Sequence, residues 1–176
     1  MSTKKMVILS VLVALGIVLN ALENLLLPWT ILPIPGARIG LANIVFLIIL
    51  FLEGFKTSLA LSIFRIIILG ILTGTLATPV FPLSLSGAVL SLVLMETARL
   101  VLNDKLSLIG LSVIGASGHN LGQLLALTMI PGLFPGVSAL YLLLPGLLLM
   151  AIPAGMITGW IVERVLPTIA REWRDR

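Results

Sequence analysis

Few side chains in this sequence can do chemistry, and they fall in a handful of places. His119 is the one histidine, Asn120 follows it, and Gln123 lies a helical turn further along the same face as His119. Asn20, Glu23 and Asn24 form a second group, Arg38 and Asn43 a third, and Trp29 stands between those two. Groups of this kind donate, accept and carry charge. They suit capture of a small polar solute by Arg38, Asn43, His119, Asn120, Gln123 and Glu23, with Trp29 available for stacking. The competing reading is that they bond one another across helices, at roughly 0.6 kcal/mol for each bond, and Glu23 also serves as a partner for Arg38. Arg65 and Glu96, alone in apolar stretches, read as a structural ion pair; Glu96 has a second possible partner in Arg99, three residues on.

Catalysis is poorly supported. There is no cysteine, which removes thiolate chemistry and Cys-based metal sites. Chemistry on prenyl diphosphates uses Mg²⁺ held by clustered carboxylates, and the two aspartates, Asp104 and Asp175, are far apart in the chain. One histidine with no aspartate in an apolar stretch gives no hydrolase triad, and no glycine pattern for nucleotide phosphates is present. The sequence therefore reads as a binding protein rather than an enzyme, with no metal and no cofactor. A net charge of +4 does not indicate nucleic acid, because the basic residues flank apolar runs and form no stripe with aromatics.

The elements that must position these groups are membrane helices. Of 176 residues 59% are apolar and 10% charged, against about 45–50% and about 25% in soluble domains. The apolar residues come in runs near the roughly 20 that a hydrocarbon core demands of a helix. Proline, glycine and charge divide one transmembrane domain, residues 1–176, into spans near 7–27, 39–53, 58–77, 83–102, 107–130 and 140–164. The expected fold is an all-α polytopic bundle of six transmembrane helices in a lipid bilayer. The first run is too long for the core of a signal peptide and meets no small-residue cleavage site before Pro28, so it reads as a retained span. With both termini in the cytoplasm, Lys4, Lys5, Lys56, Arg99, Lys105, Arg164, Arg171, Arg174 and Arg176 lie inside and only Arg38 outside, as the positive-inside rule requires. This topology puts the histidine, asparagine and glutamine groups at mid-membrane or in the outer half, and Arg65 with Glu96 in the inner half. On the first span, Ser10 and Ala14 make a small-xxx-small pair that allows a close helix approach, and Gly16 lies nearby.

Two segments, Pro35-Gly36-Ala37-Arg38-Ile39-Gly40-Leu41-Ala42-Asn43-Ile44 and Ser117-Gly118-His119-Asn120-Leu121-Gly122-Gln123, resemble the signature of the Gx transporter family, also described as heptaprenyl diphosphate synthase component I. The resemblance extends over essentially the whole chain. That family looks like the substrate-binding (S) components of energy-coupling factor transporters. It implies a protein of the bacterial cytoplasmic membrane that binds a micronutrient-like solute outside and works with a transmembrane coupling subunit and cytoplasmic ATPase subunits. Carried over, it makes Ser10, Ala14 and Gly16 the partner interface, although the usual Ala-xxx-Ala form is absent, and gives Pro28 to Gly36 the part of a gate. The alternative it carries is a non-catalytic membrane accessory subunit of heptaprenyl diphosphate synthesis.

Overall fold

A computed structural model describes residues 3–26, 40–102, 105–130 and 137–174. Among these, every regular element is a helix: α1 (Thr3–Leu26), α2 (Leu41–Glu53), α3 (Phe55–Leu72), α4 (Val80–Leu102), α5 (Leu108–Met129) and α6 (Val137–Arg174). Each overlaps an expected span. The chain is an all-helical, multi-pass membrane protein, and α1, α3, α4 and α6 contain stretches both long and apolar enough to cross a bilayer. Val7, Val11, Leu15, Val18, Leu22 and Leu25 make an exposed apolar stripe along one side of α1, which only lipid can solvate cheaply.

α2 falls outside that set because it is short. Its 13 residues reach about 20 Å, less than a hydrocarbon core of about 30 Å. It does not need to meet lipid. Every residue from Ile44 to Leu50 is buried, and these side chains form the centre of a core that also takes in Leu9, Leu12, Leu92, Met95, Leu111 and Val162. A helix that is apolar all round belongs inside a bundle. Ser58 on α3 donates to the Phe46 carbonyl at 2.8 Å and ties α3 to it. α5 has the length to cross, and its polar residues keep it out of the apolar set.

The third and sixth spans differ from expectation. α3 stops at Leu72 rather than near residue 77: Thr75 N donates to the Gly70 carbonyl at 2.8 Å and Gly74 N to that of Ile71 at 3.3 Å. With Gly74 at φ 68° this is a Schellman stop, in which glycine takes a left-handed conformation at little cost. α6 runs on to Arg174, past three internal prolines. Its last turn turns inward, with Trp173 buried in the main core.

The start of α1 and the close of α6 lie at one end of the bundle. Lys5 Nζ stands 4.9 Å from the centre of the Trp173 ring and 3.5 Å from Glu53 at the close of α2. At the same end Arg99, near the close of α4, sits 5.8 Å from the Phe51 ring.

Candidate functional site

A cavity of about 250 Å³ lies toward the end of the bundle opposite the termini. α1 supplies Asn20 and Glu23, the start of α2 supplies Gly40, Ala42 and Asn43, α3 supplies Arg65 with Ile66 and Leu69, α4 supplies Phe81 and Ser84, and α5 supplies His119. Asn20, Glu23, Arg65 and His119 are each more than nine-tenths buried. Thr73 and Thr75, where α3 gives way to the turn, line the cavity, and the exposed Thr73 brings it to the surface.

Glu23 is held in place by backbone. One carboxylate oxygen accepts from Gly40 N at 2.7 Å and the other from Leu41 N at 3.2 Å. Gly40 caps α2 at φ 75° with no side-chain cap of its own, so Glu23 reaches across from α1 to satisfy the first N–H groups and to meet the positive end of the helix dipole. A carboxylate accepts about four hydrogen bonds, which leaves it capacity toward the cavity.

Arg65 corrects an expectation. The ion pair expected between Arg65 and Glu96 is not made: Glu96 pairs with Arg99 on its own helix, with Nε and Nη2 at 2.8 and 2.9 Å from its two oxygens. The cause is register. α3 begins at Phe55, three residues before the expected start, so Arg65 lies past its midpoint and joins the polar groups of the far half. Its guanidinium sits 5.1 Å from the centre of the Phe46 ring, a cation–π arrangement that partly offsets burial of the charge.

His119, Asn43 and Glu23 line the cavity. Asn120 does not; its amide donates to the Leu147 carbonyl at 2.9 Å and joins α5 to α6. Gln123 is buried one turn beyond His119 and is not among the lining residues. Arg38, Trp29 and the gate segment Pro28 to Gly36 lie outside the described residues. On the proposed partner face, Ser10 and Ala14 are exposed and line an apolar groove with Leu61 and Phe64 of α3. Gly16 is buried instead: a Cβ there would stand 3.5 Å from Arg65 Cδ and from Phe46 Cε2. It faces Arg65 and Phe46 inside the bundle.

A family model described as heptaprenyl diphosphate synthase component I matches residues 12–165, a stretch that reaches all six helices and includes every residue lining the cavity. The chain belongs to the heptaprenyl diphosphate synthase component I family. No curated protein and no solved structure matches it.

In this member of the family, Asn20 and Arg65 also line the cavity, beyond the residues expected to bind a solute. Asn20 shares a face of α1 with Glu23, three residues on, and that periodicity was the available signal. Arg65 carried none, because depth inferred from the span boundary placed it in the wrong half.

Proposed function

We propose that this chain is the membrane-embedded solute-binding subunit of an importer of the energy-coupling factor type. The observation that carries the reading is the cavity itself, where a guanidinium, a carboxylate, an imidazole and two amides share about 250 Å³. Burying such groups in a bilayer protein is costly, and convergence from five helices on one small space is the arrangement of a ligand site. Lys4, Lys5, Lys56, Arg99, Lys105, Arg164 and Arg171 belong to the end that carries the termini. Under the positive-inside rule that end is cytoplasmic, so six crossings give an outward-facing cavity. Among the described residues the lining carries one cation and one anion, which suits a compact solute of low net charge. The groove along Ser10 and Ala14 is the docking face for a coupling subunit, with ATPase subunits supplying the energy.

Native mass spectrometry of the purified protein tests this. One small molecule should accompany the chain at unit stoichiometry. Arg65→Ala should weaken its binding by about 1.5–3 kcal/mol and His119→Ala by about 1–3 kcal/mol, through lost buried hydrogen bonds. Equal retention by wild type and both variants would sink the assignment.

The family description favours a second reading, a non-catalytic accessory subunit of heptaprenyl diphosphate synthesis. A diphosphate carries several negative charges that this lining does not balance, and a prenyl chain asks for an apolar groove. In vesicles that contain the chain and a catalytic prenyl synthase subunit, heptaprenyl product should form at a rate independent of this chain under the first reading and dependent on it under the second.

A further inference from the structure

Gly87 belongs to neither the expected site nor the cavity lining, yet it faces His119 across the α4–α5 contact. A Cβ built on it would fall 2.9 Å from His119 Cε1, 3.0 Å from His119 Nδ1 and 3.0 Å from Gln123 Cγ. Its φ is not positive, since among the described residues only Gly40, Gly54 and Gly74 have that conformation. Backbone freedom therefore does not explain it, and alanine would be the better helix former. What the missing side chain provides is a slot for the imidazole.

α5 is held close against α4 around this slot. A Cβ at Gly118 would meet the Leu90 carbonyl at 3.2 Å, and one at Gly122 the Ser86 carbonyl at 2.5 Å, so α5 rests on the α4 backbone on both sides of His119. Ser86 Oγ also donates to the Gly122 carbonyl at 2.8 Å. On the other side of α5, Ser112 and Thr158 are joined at 2.6 Å, and Asn120 holds Leu147. With the helix held on both sides, a methyl group at position 87 is relieved by a shift of the ring, the far end of a flexible side chain. Ser84, one turn before Gly87 on α4, lines the cavity together with His119, so the displaced ring enters the cavity.

We propose that Gly87 is the positioning residue of the cavity: it parks the His119 ring between α4 and α5 and so sets the space left for a solute. The significance for solute selection rests on the solute-binding reading; the steric claim does not. Because the chain has one histidine, the imidazole can be followed without ambiguity. Diethyl pyrocarbonate is the probe, with carbethoxylation of His119 followed by peptide mass mapping on tag-free protein in detergent, alongside the imidazole Cε1–H resonance. Gly87→Ala should raise the rate several-fold and shift the resonance. The double variant Gly87→Ala/His119→Ala should melt close to His119→Ala alone, because with the ring removed the remaining close approach is Gln123 Cγ at 3.0 Å, which that side chain relieves by a small shift.

If Gly87→Ala fails to fold while the double variant folds, the conflict with the ring is confirmed. An unchanged rate and resonance overturn the proposal, as does a double variant that is as damaged as Gly87→Ala, since either result makes position 87 a packing site for α4 and α5 alone. Solute retention is scored separately on Arg65→Ala, so failure of the transport reading leaves these outcomes legible.

Discussion

The two halves of the bundle are held together by different means, and the cavity exists because of the difference. In α4–α6 backbone rests on backbone. Gly122 lies against the Ser86 carbonyl, Gly155 against the Val113 backbone and Gly159 against Ile109, where a Cβ would be 2.5 Å from Cα. Without a hydrophobic drive between helices in lipid, close van der Waals contact through small residues is a principal source of cohesion. In α1–α3 the contacts run through side chains: Gly16 faces Arg65 and Phe46 at ordinary distances, Glu23 ties α1 to α2, and α2 is embedded in apolar side chains. That half leaves room, and the polar groups of α1, α2 and α3 surround it. The closely packed half thus presents His119 to the half that leaves room.

Substituting the glycines is the most direct way to break this comparison. Gly155→Ala and Gly122→Ala each force a methyl group into neighbouring backbone and should cost about 3 kcal/mol, the upper part of the usual overpacking range; thermal unfolding in detergent measures it. A loss below about 1 kcal/mol at both would show that α4–α6 is no more tightly built than the rest. Next in size is Glu23→Ala, which strips the Gly40 and Leu41 N–H groups of their acceptors and should cost about 1–3 kcal/mol. Hydrogen exchange should quicken at the start of α2 and not in α5; uniform quickening would mean that the halves are not independent. Ser112→Ala removes one interhelical hydrogen bond and should cost about 0.6 kcal/mol, with about 1.7 kcal/mol as a ceiling. Gly16→Ala should be the mildest, within about 0.5 kcal/mol of wild type, because its neighbours stand at contact distance already. Equal effects at Gly16 and Gly155 would erase the distinction.

Much of this was legible beforehand. Hydropathy placed all six helices, since a bilayer imposes one length scale on every segment that crosses it. The polar residues were found because lipid makes them conspicuous. Their partners were not: Asn120 and Glu96 each had several acceptors or donors within reach on paper. The choice of Leu147 for one and Arg99 for the other depends on helix rotation and axial shift, which periodicity does not set. Gly87 was invisible because a glycine in an apolar helix has many uses, and this one is defined by what stands opposite it.

The sequence by itself determined that the chain is helical, membrane-embedded and richer in polar groups toward one end, because solvation by lipid acts on each segment almost independently of its neighbours. Only the tertiary structure decided that Arg65 belongs with Glu23 and His119, that Gly16 faces inward, and that α2 is sheltered from lipid. These are relations between helices. They follow from where the glycines let backbones meet and where larger side chains hold them apart.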